Sequence, residues 1–584
     1  MKYAALLSGG KDSCYNLLHC FKNGHQLIVA ASLGPEQGKE ELDSYMYQTV
    51  GQDAIELVAQ ALGVPLIRRV IRGTAIEQGA EYGERKALPD DQNIIVGDET
   101  EDMYALLLDV KSRFPEVEAV SVGAILSNYQ RVRVEHVCRR LSLTPLCYLW
   151  QRDQAELLSE IIDAGLEAIL IKVAGIGLKT DHLGLNLSEV RPTLTTLNNL
   201  YGLHVCGEGG EYETFTLDSP LFQRRIRLLE TERVVLADDK FATVAYLRIK
   251  NATLEAKDTP TTFDVPVPPL LSPSYEALVG YVRGACVDAS PGAATQVVPT
   301  FSPNPVTGPT TRRMDKWVAF GNITSPIGPG EKVSLEDEVR SCFEILRSLL
   351  DQHSVQFSNI ATMHVYIANM ENFARVNEVY ATFFGTSPPA RACVAVDLPA
   401  ACRLSLECIA YAENTRGDRR ALHVQSMSYW APANIGPYSQ AIVVGDLVFV
   451  SGQIGMNPRS LSIPTPRSLP LEVALASQHV HRVVEVLRSS VGGGWMGSAM
   501  LNIFWYTRSV DALAVQSCTI IIQGSEVPSL HVVVKSLPKG ALVEKQVLFH
   551  TGALTVAEHE ENISSRTPFY DRGASIVHSP VSLD

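Results

Sequence analysis

The chain has 584 residues, too many for one hydrophobic core, and at roughly 150 residues per domain it should divide into three or four units. Its 46% hydrophobic and 20% charged residues are ordinary for a soluble globular protein, and a net charge of −14 argues against a broad nucleic-acid-binding face. No run reaches the ~18 apolar residues of a membrane span, and the opening "MKYAALLSGGKDS" lacks the pattern of a signal peptide.

Residues 1–225 alternate between strand and helix patterns. Strands are expected at 2–8, 26–33, 64–71, 118–125, 143–150 and 166–175, with helices at 12–24 and 44–63. Continuous apolar strands spaced by helices predict a parallel sheet covered on both faces. Two proline-rich stretches, 258–273 and 290–311, read as linkers or long loops around a helix at 274–288. The last third holds a weak internal repeat. "WVAFGNI" (317–323) aligns with "VFVSGQI" (448–454), and 389–407 aligns with 528–546; in each copy two prolines stand ten residues apart. A helix lies between the anchors of each copy, at 335–354 and 471–490, so two copies of one unit fit better than one large domain. The eleven cysteines contain no CxxC. They read as reduced thiols of a cytoplasmic protein, and neither Cys14 with Cys20 nor Cys402 with Cys408 has a second pair of metal ligands nearby.

"LLSGGKDS" (6–13) follows the first strand and opens the first helix. It is not a Walker A loop. Gly9 and Gly10 let the backbone turn tightly toward an anion, and the helix N-terminus offers N–H groups to phosphate. Ser8 and Ser13 carry hydroxyls, Lys11 a neutralising charge, and Asp12 a carboxylate for the loop or for magnesium. The stretch resembles the SGGxDS signature of the PP-loop ATP pyrophosphatases, which cleave ATP between its α and β phosphates.

Further stretches resemble one family within that group, the diphthine–ammonia ligases: "ELDSYMYQTVG" (41–51), "GDE" (97–99), "GAILSNYQRVRVEHVCRRL" (123–141), "YLWQRDQ" (148–154) and "CGEGGEYETFTLDSPLF" (206–222). The likeness covers about residues 1–235. "PPARACVAVDLP" (388–399) and "ANIGPYSQAIVVGDLVFVSGQIGM" (433–456) resemble RidA-like (YjgF) domains, completing the layout of the eukaryotic form of that ligase. The expected fold is α/β: a Rossmann-like parallel sheet, then two α+β RidA-like domains. The expected divisions are 1–235, a connecting region 236–312, 313–415, 423–560 and a tail 561–584.

The resemblance implies ATP-dependent amidation of diphthine on elongation factor 2. The carboxylate attacks the α phosphate, pyrophosphate leaves, and ammonium-derived ammonia displaces AMP; no glutaminase constellation is visible. ATP and Mg2+ are the expected cofactors, and the metal ligands stay unassigned. The expected partners are the diphthine-bearing factor and ammonium, without nucleic acid or membrane, with self-association through the RidA-like domains. Ser8, Gly9, Gly10, Lys11, Asp12, Ser13, Gly97, Asp98 and Glu99 are the expected ATP-binding residues, the last three read as the end of a strand, with a capped turn as the bland reading. Lys11, Asp12, Glu208 and Glu211 are the candidate catalytic residues. Asp43, Ser44, Tyr45, Tyr129, Arg131, Arg133, Glu135 and Glu213 are the candidate substrate contacts; a surface ion pair between Arg131 and Glu135 (i, i+4) is the plain alternative. In the RidA-like pair, Arg391 matches the family's carboxylate-binding arginine and Glu544 its glutamate. Ser405 and Leu530 depart from the pattern, although Glu407 remains, so the two surviving groups would share one site or the domains would act as scaffold or docking surfaces. Residues 490–527 also depart from the pattern. Two rival readings stay open: an RNA-modifying PP-loop enzyme, against which the acidic charge and absent cysteine pairs weigh, and a RidA-type binding protein with an inactive nucleotide domain.

Overall fold

A computed structural model describes residues 1–36, 46–48, 50–87, 94–238, 243–258, 263–288, 308–326, 333–399, 402–489, 494, 496–512, 514–516 and 527–552. Five parallel strands form the first sheet, in the order Leu66–Val70, Gln26–Gly34, Lys2–Leu6, Ala119–Ser121, Thr144–Leu146. Alternate residues of the central strands enter different cores. Tyr3, Ala5 and Ala30 pack with Leu17 and Leu18 of the helix Lys11–Lys22, whereas Ala4, Val29 and Ala31 pack with Met103, Leu106 and Val137 of the helices Glu99–Arg113 and Asn128–Arg140. A sheet covered on both faces explains the unbroken apolar runs. The order reverses between Lys2–Leu6 and Ala119–Ser121, and the loops beyond those two strands open a crevice there.

Four expectations about elements change. The helix expected at 44–63 is a short 3-10 turn, Gln52–Ala54, running into Ile55–Leu62, because Gly51 is left-handed at φ +82°. The strand expected at 143–150 stops at Leu146, and a turn follows. Residues 94–98 are not a strand; Gly97 turns at φ +84° and Asp98 caps the helix Glu99–Arg113. The strand Glu167–Val173 does not join the parallel sheet. It pairs antiparallel with Tyr212–Asp218 and Thr243–Ala256, in a second sheet closed by Arg224–Asp238. An apolar run shows that a strand is buried, not which neighbour it pairs with.

The proline-rich stretch is packed where it is described: Val265 is buried, Phe263 meets Phe21 and Asp264 reaches Lys22 at 2.6 Å. Residues 259–262 and 289–307 lie outside the described residues. The helix Pro273–Asp288 packs on Leu469–Ser489, their junction held by Gln478, which donates to Leu270 O and accepts from Ser272 N, both at 2.8 Å.

The last two sheets share one plan. Trp317–Ile323, Leu404–Tyr411, Ile360–Ile367 and Ala390–Ala395 lie in the same order as Leu447–Ile454, Val543–His550, Ala499–Tyr506 and Ser529–Val533. In each, the last pair is parallel and the others antiparallel, and one long helix, Leu335–Gln352 or Leu469–Ser489, covers a face. The two sheets meet where the segment around Arg391 lies against the strand Leu447–Ile454; Arg391 N donates to Ser451 Oγ at 2.8 Å. Part of 490–527 lies outside the described residues. No helix among the described residues is long and apolar enough to cross a membrane.

Candidate active site

The loop after Lys2–Leu6 turns at Gly9, left-handed at φ +83°, and Gly10 begins the helix Lys11–Lys22 without a side-chain cap. Gly123, in the loop after Ala119–Ser121, comes so close that a Cβ there would sit 2.6 Å from Ser13 N and 2.7 Å from Asp12 C. The strand Tyr212–Asp218 closes the other side: Thr216 N donates to Gly9 O at 2.9 Å and Lys11 N to Thr214 Oγ1 at 3.0 Å. These pieces bound a cleft of about 450 Å³ at the switch point of the sheet, lined on its polar side by Ser8, Lys11, Asp12, Ser13, Glu208 and Glu213. A helix N-terminus whose N-cap glycine offers no side-chain acceptor, beside a cationic side chain, suits an anion, although Thr214 already takes the Lys11 N–H.

Lys11 is buried and gives its ammonium to Asp12 Oδ2 at 2.7 Å and to Cys206 O at 2.5 Å. Burial is the largest single influence and works against its charge, but the Asp12 carboxylate, Tyr212 and Cys206 together outweigh it and hold its pKa above the ordinary lysine value. Asp12 Oδ1 is buried without a hydrogen-bond partner. Glu208 Oε2 accepts from the backbone N–H groups of Leu126, at 2.9 Å, and Ser127, at 3.2 Å. Burial, then the Asp12 charge, push its pKa up, against the pull of those two donors. Glu213 lies 3.4 Å from Lys172.

Other sequence candidates sit elsewhere. Glu211 does not line the cleft; its two oxygens accept from His204 N and Gly209 N, both at 2.8 Å, and brace the glycine turn around Glu208. Gly97, Asp98 and Glu99 are also outside the lining. Asp98 accepts from Thr100 N at 2.9 Å and from Ile76 N and Glu77 N at 3.1 Å, and Glu99 accepts from the Tyr129 hydroxyl at 3.1 Å. Arg133 stacks 3.3 Å from the Tyr129 ring centre and donates to Glu77 O. Arg131 and Glu135 do form an ion pair, at 2.6 Å, but not on the surface: they are 1% and 2% exposed. Glu135 Oε1 accepts from Gln425 N and Ser426 N, so the pair is sealed by a segment nearly 300 residues away. Asp43, Ser44 and Tyr45 lie outside the described residues.

The cleft also uses residues that the motifs had not singled out. Gln48 donates to Thr214 O at 3.0 Å, and Tyr47, Gln52, Ser127 and Gln130 join the lining. The only sequence signal for Tyr47, Gln48, Ser127 and Gln130 was membership of the quoted stretches, and Gln52 lies just beyond one of them. No group of three or more His, Cys, Asp or Glu side chains is gathered for a metal among the described residues. Asp12, with its unpartnered oxygen, nonetheless suits a magnesium ion that takes most of its ligands from phosphate and water.

A second, much smaller cavity lies between the last two sheets and is lined by both Arg391 and Glu544. Arg391 donates to Asn377 Oδ1 at 2.8 Å, with the rings of Tyr380 and Tyr438 about it. Burial pushes the Glu544 carboxyl up to about 8, against the pull of Arg391.

Family models match the chain in three parts: the diphthamide synthase N-terminal domain at residues 1–98, the diphthamide synthase C-terminal domain at 153–253, and endoribonuclease L-PSP at 322–413 and 429–550. A diphthine–ammonia ligase of Schizosaccharomyces pombe is 38% identical over 97% of this chain and 91% of its own length. One from Rattus norvegicus is 54% identical over 44% of this chain, yet this spans 94% of the rat protein. Among solved structures, RidA from an Antarctic Psychrobacter species is 26% identical, covering 21% of this chain and 94% of its own, with a TM-score of 0.18.

Proposed function

Since this chain belongs to the diphthine–ammonia ligase family, we propose that it amidates diphthine on elongation factor 2 to diphthamide, with ATP cleaved to AMP and pyrophosphate. The observation that carries this reading is the cleft at the sheet's switch point, where a helix N-terminus with a glycine at its N-cap, Lys11 and Asp12 meet Glu208. The near-complete match of the half-length rat relative supports assigning the reaction to the N-terminal part.

A carboxylate is a poor acyl donor, and transfer of AMP to it supplies a leaving group. The β and γ phosphates would rest on the N–H groups after Gly10, with Lys11 neutralising the charge that grows as pyrophosphate departs; placement and charge neutralisation do most of the work. Magnesium would supply further neutralisation of the triphosphate, with Asp12 and phosphate oxygens holding it. Glu208, its basicity raised, would take the proton from ammonium or from the attacking nitrogen. Glu213 would face the substrate across the same cleft, and a cytoplasmic location suits a factor that works on ribosomes.

Product analysis tests this. With ATP, ammonium, magnesium and diphthine-bearing elongation factor 2, the expected products are AMP, pyrophosphate and the amide. Lys11→Ala should lower kcat/KM by about 10²–10³-fold, the loss that follows removal of one charge-stabilising group. ADP as product, or AMP formed only when RNA is added, would sink the reading.

A second reading concerns Arg391 and Glu544, which meet in one cavity although they come from different repeats. An arginine beside a carboxyl kept protonated by burial is suited to a small carboxylate substrate with an enamine or imine group. Hydrolysis of an amino-acid-derived enamine by the full chain, lost in Arg391→Ala, would support it; no turnover above the variant would leave the pair a scaffold.

A further inference from the structure

The two helices that wall the ATP cleft are gripped downstream by one short segment of the C-terminal half. His423 O accepts from Arg131 Nη1 at 2.7 Å. Gln425 N and Ser426 N donate to Glu135 Oε1 at 2.9 Å, and Ser426 Oγ does so at 2.5 Å. Met427 then pairs with Leu146 as a parallel bridge, donating to Pro145 O and accepting from Cys147 N, each at 2.9 Å, which adds a rung to the edge of the parallel sheet. The Tyr429 hydroxyl accepts from Asn23 Nδ2 at 2.7 Å and lies 3.1 Å from His19 Nδ1. Arg482 of the long helix Leu469–Ser489 ties this strap back to its own domain through Tyr429 O and Trp430 O.

Both gripped helices begin at the cleft. Asn23 closes the helix that starts at Lys11, about 18 Å along its axis at 1.5 Å per residue. Glu135 lies about 12 Å along the helix capped by Ser127, whose N–H holds Glu208. The separation of these two helix starts sets how Gly123 meets Ser13 and where Glu208 stands relative to Asp12 and Lys11. A helix is stiff over such lengths, so a clamp on its far part limits how its first turn can tilt.

We propose that residues 423–430 are positioning residues for the ATP cleft, coupling the C-terminal half to the phosphate-binding loop through Tyr429 and through Ser426 with Glu135. This rests on the reading of the cleft as an ATP site. The strap touches no reacting atom; its effect is exerted through the two helices.

The test uses the full chain with α,β-methylene-ATP as the probe. Its affinity is measured by calorimetry in the parent, Tyr429→Phe, Ser426→Ala and Ser426→Thr, together with amide hydrogen exchange of the unliganded proteins. Tyr429→Phe and Ser426→Ala should each weaken binding about three- to tenfold, the scale of one lost buried hydrogen bond. Exchange should quicken at residues 8–14 and 124–130, while unfolding stays a single transition. Ser426→Thr, which keeps the hydroxyl, should restore both readouts. If Ser426→Ala does not fold, the isosteric Tyr429→Phe carries the comparison. Parental affinity and exchange in the variants would overturn the proposal. If the parent itself does not bind the probe, the ATP reading fails, and the exchange measurement alone still decides whether the strap holds the two helix starts.

Discussion

Glu208 and Glu211 stand three residues apart in one glycine turn and act differently. Glu208 enters the cleft beside Asp12, while Glu211 spends both oxygens on backbone N–H groups of its own loop. The types and spacing of the two residues are alike, so only their hydrogen-bond partners separate the roles. Glu544 shows how far burial moves a single group. Its folded pKa, about 8, lies above that of an unfolded glutamate. Between those two values the folded state binds the extra proton, so Glu544 contributes stability that is greatest in acid and is lost as pH rises toward 8. Glu544→Gln should therefore flatten the decline of Tm between pH 5 and pH 8, and an unchanged slope would show that the carboxyl is already ionised. Removing this one group should recover up to a few kcal/mol of neutral-pH stability.

At the scale of elements, the cleft depends on how closely one loop approaches one helix. Gly123 is needed because a Cβ there would meet the backbone at Ser13 and Asp12, and backbone cannot step aside as a flexible side chain can. Gly123→Ala should push the loop off the helix N-terminus at about 1–3 kcal/mol of strain, weakening nucleotide binding tenfold or more in titration calorimetry. Parental affinity would mean that the loop relaxes without disturbing the phosphate site. The helix Asn128–Arg140 teaches a different lesson. Its Arg131–Glu135 spacing is that of a surface pair, yet both partners are buried against residues 423–426. The i, i+4 relation was readable; the covering segment was not, because nothing local marks which helix face another domain will occupy. The shortened second helix has a local cause, the left-handed Gly51, which periodicity alone overlooked.

At the scale of the whole molecule, the N-terminal and C-terminal halves are joined by more than a linker. Beyond the strap, Arg85 reaches Glu413 at 2.9 Å and Arg416 O at 2.9 Å, and Gly385 N donates to Arg85 O at 3.0 Å. A fragment of residues 1–258, which keeps both N-terminal sheets, should keep its fold but unfold at a lower temperature than the full chain by differential scanning calorimetry. It takes from Pro145 O and Cys147 N their bonds to Met427, and from Glu135 those of Gln425 and Ser426, at about 0.5–1.5 kcal/mol for each lost hydrogen bond. Equal unfolding temperatures would show that these contacts add nothing. The sequence by itself determined the parallel α/β start, the glycine turn that opens the first helix, the two repeats and the family, since a strand–turn–helix and a repeat are written in neighbouring residues and in fixed periods. Tertiary structure alone decided that Glu167–Val173 belongs to an antiparallel sheet, that Arg391 and Glu544 share a cavity, and that residues 423–430 clamp both cleft helices. Those contacts join residues from about 40 to about 410 positions apart, and at such separations no local propensity or period constrains the partner; packing of the finished surfaces does.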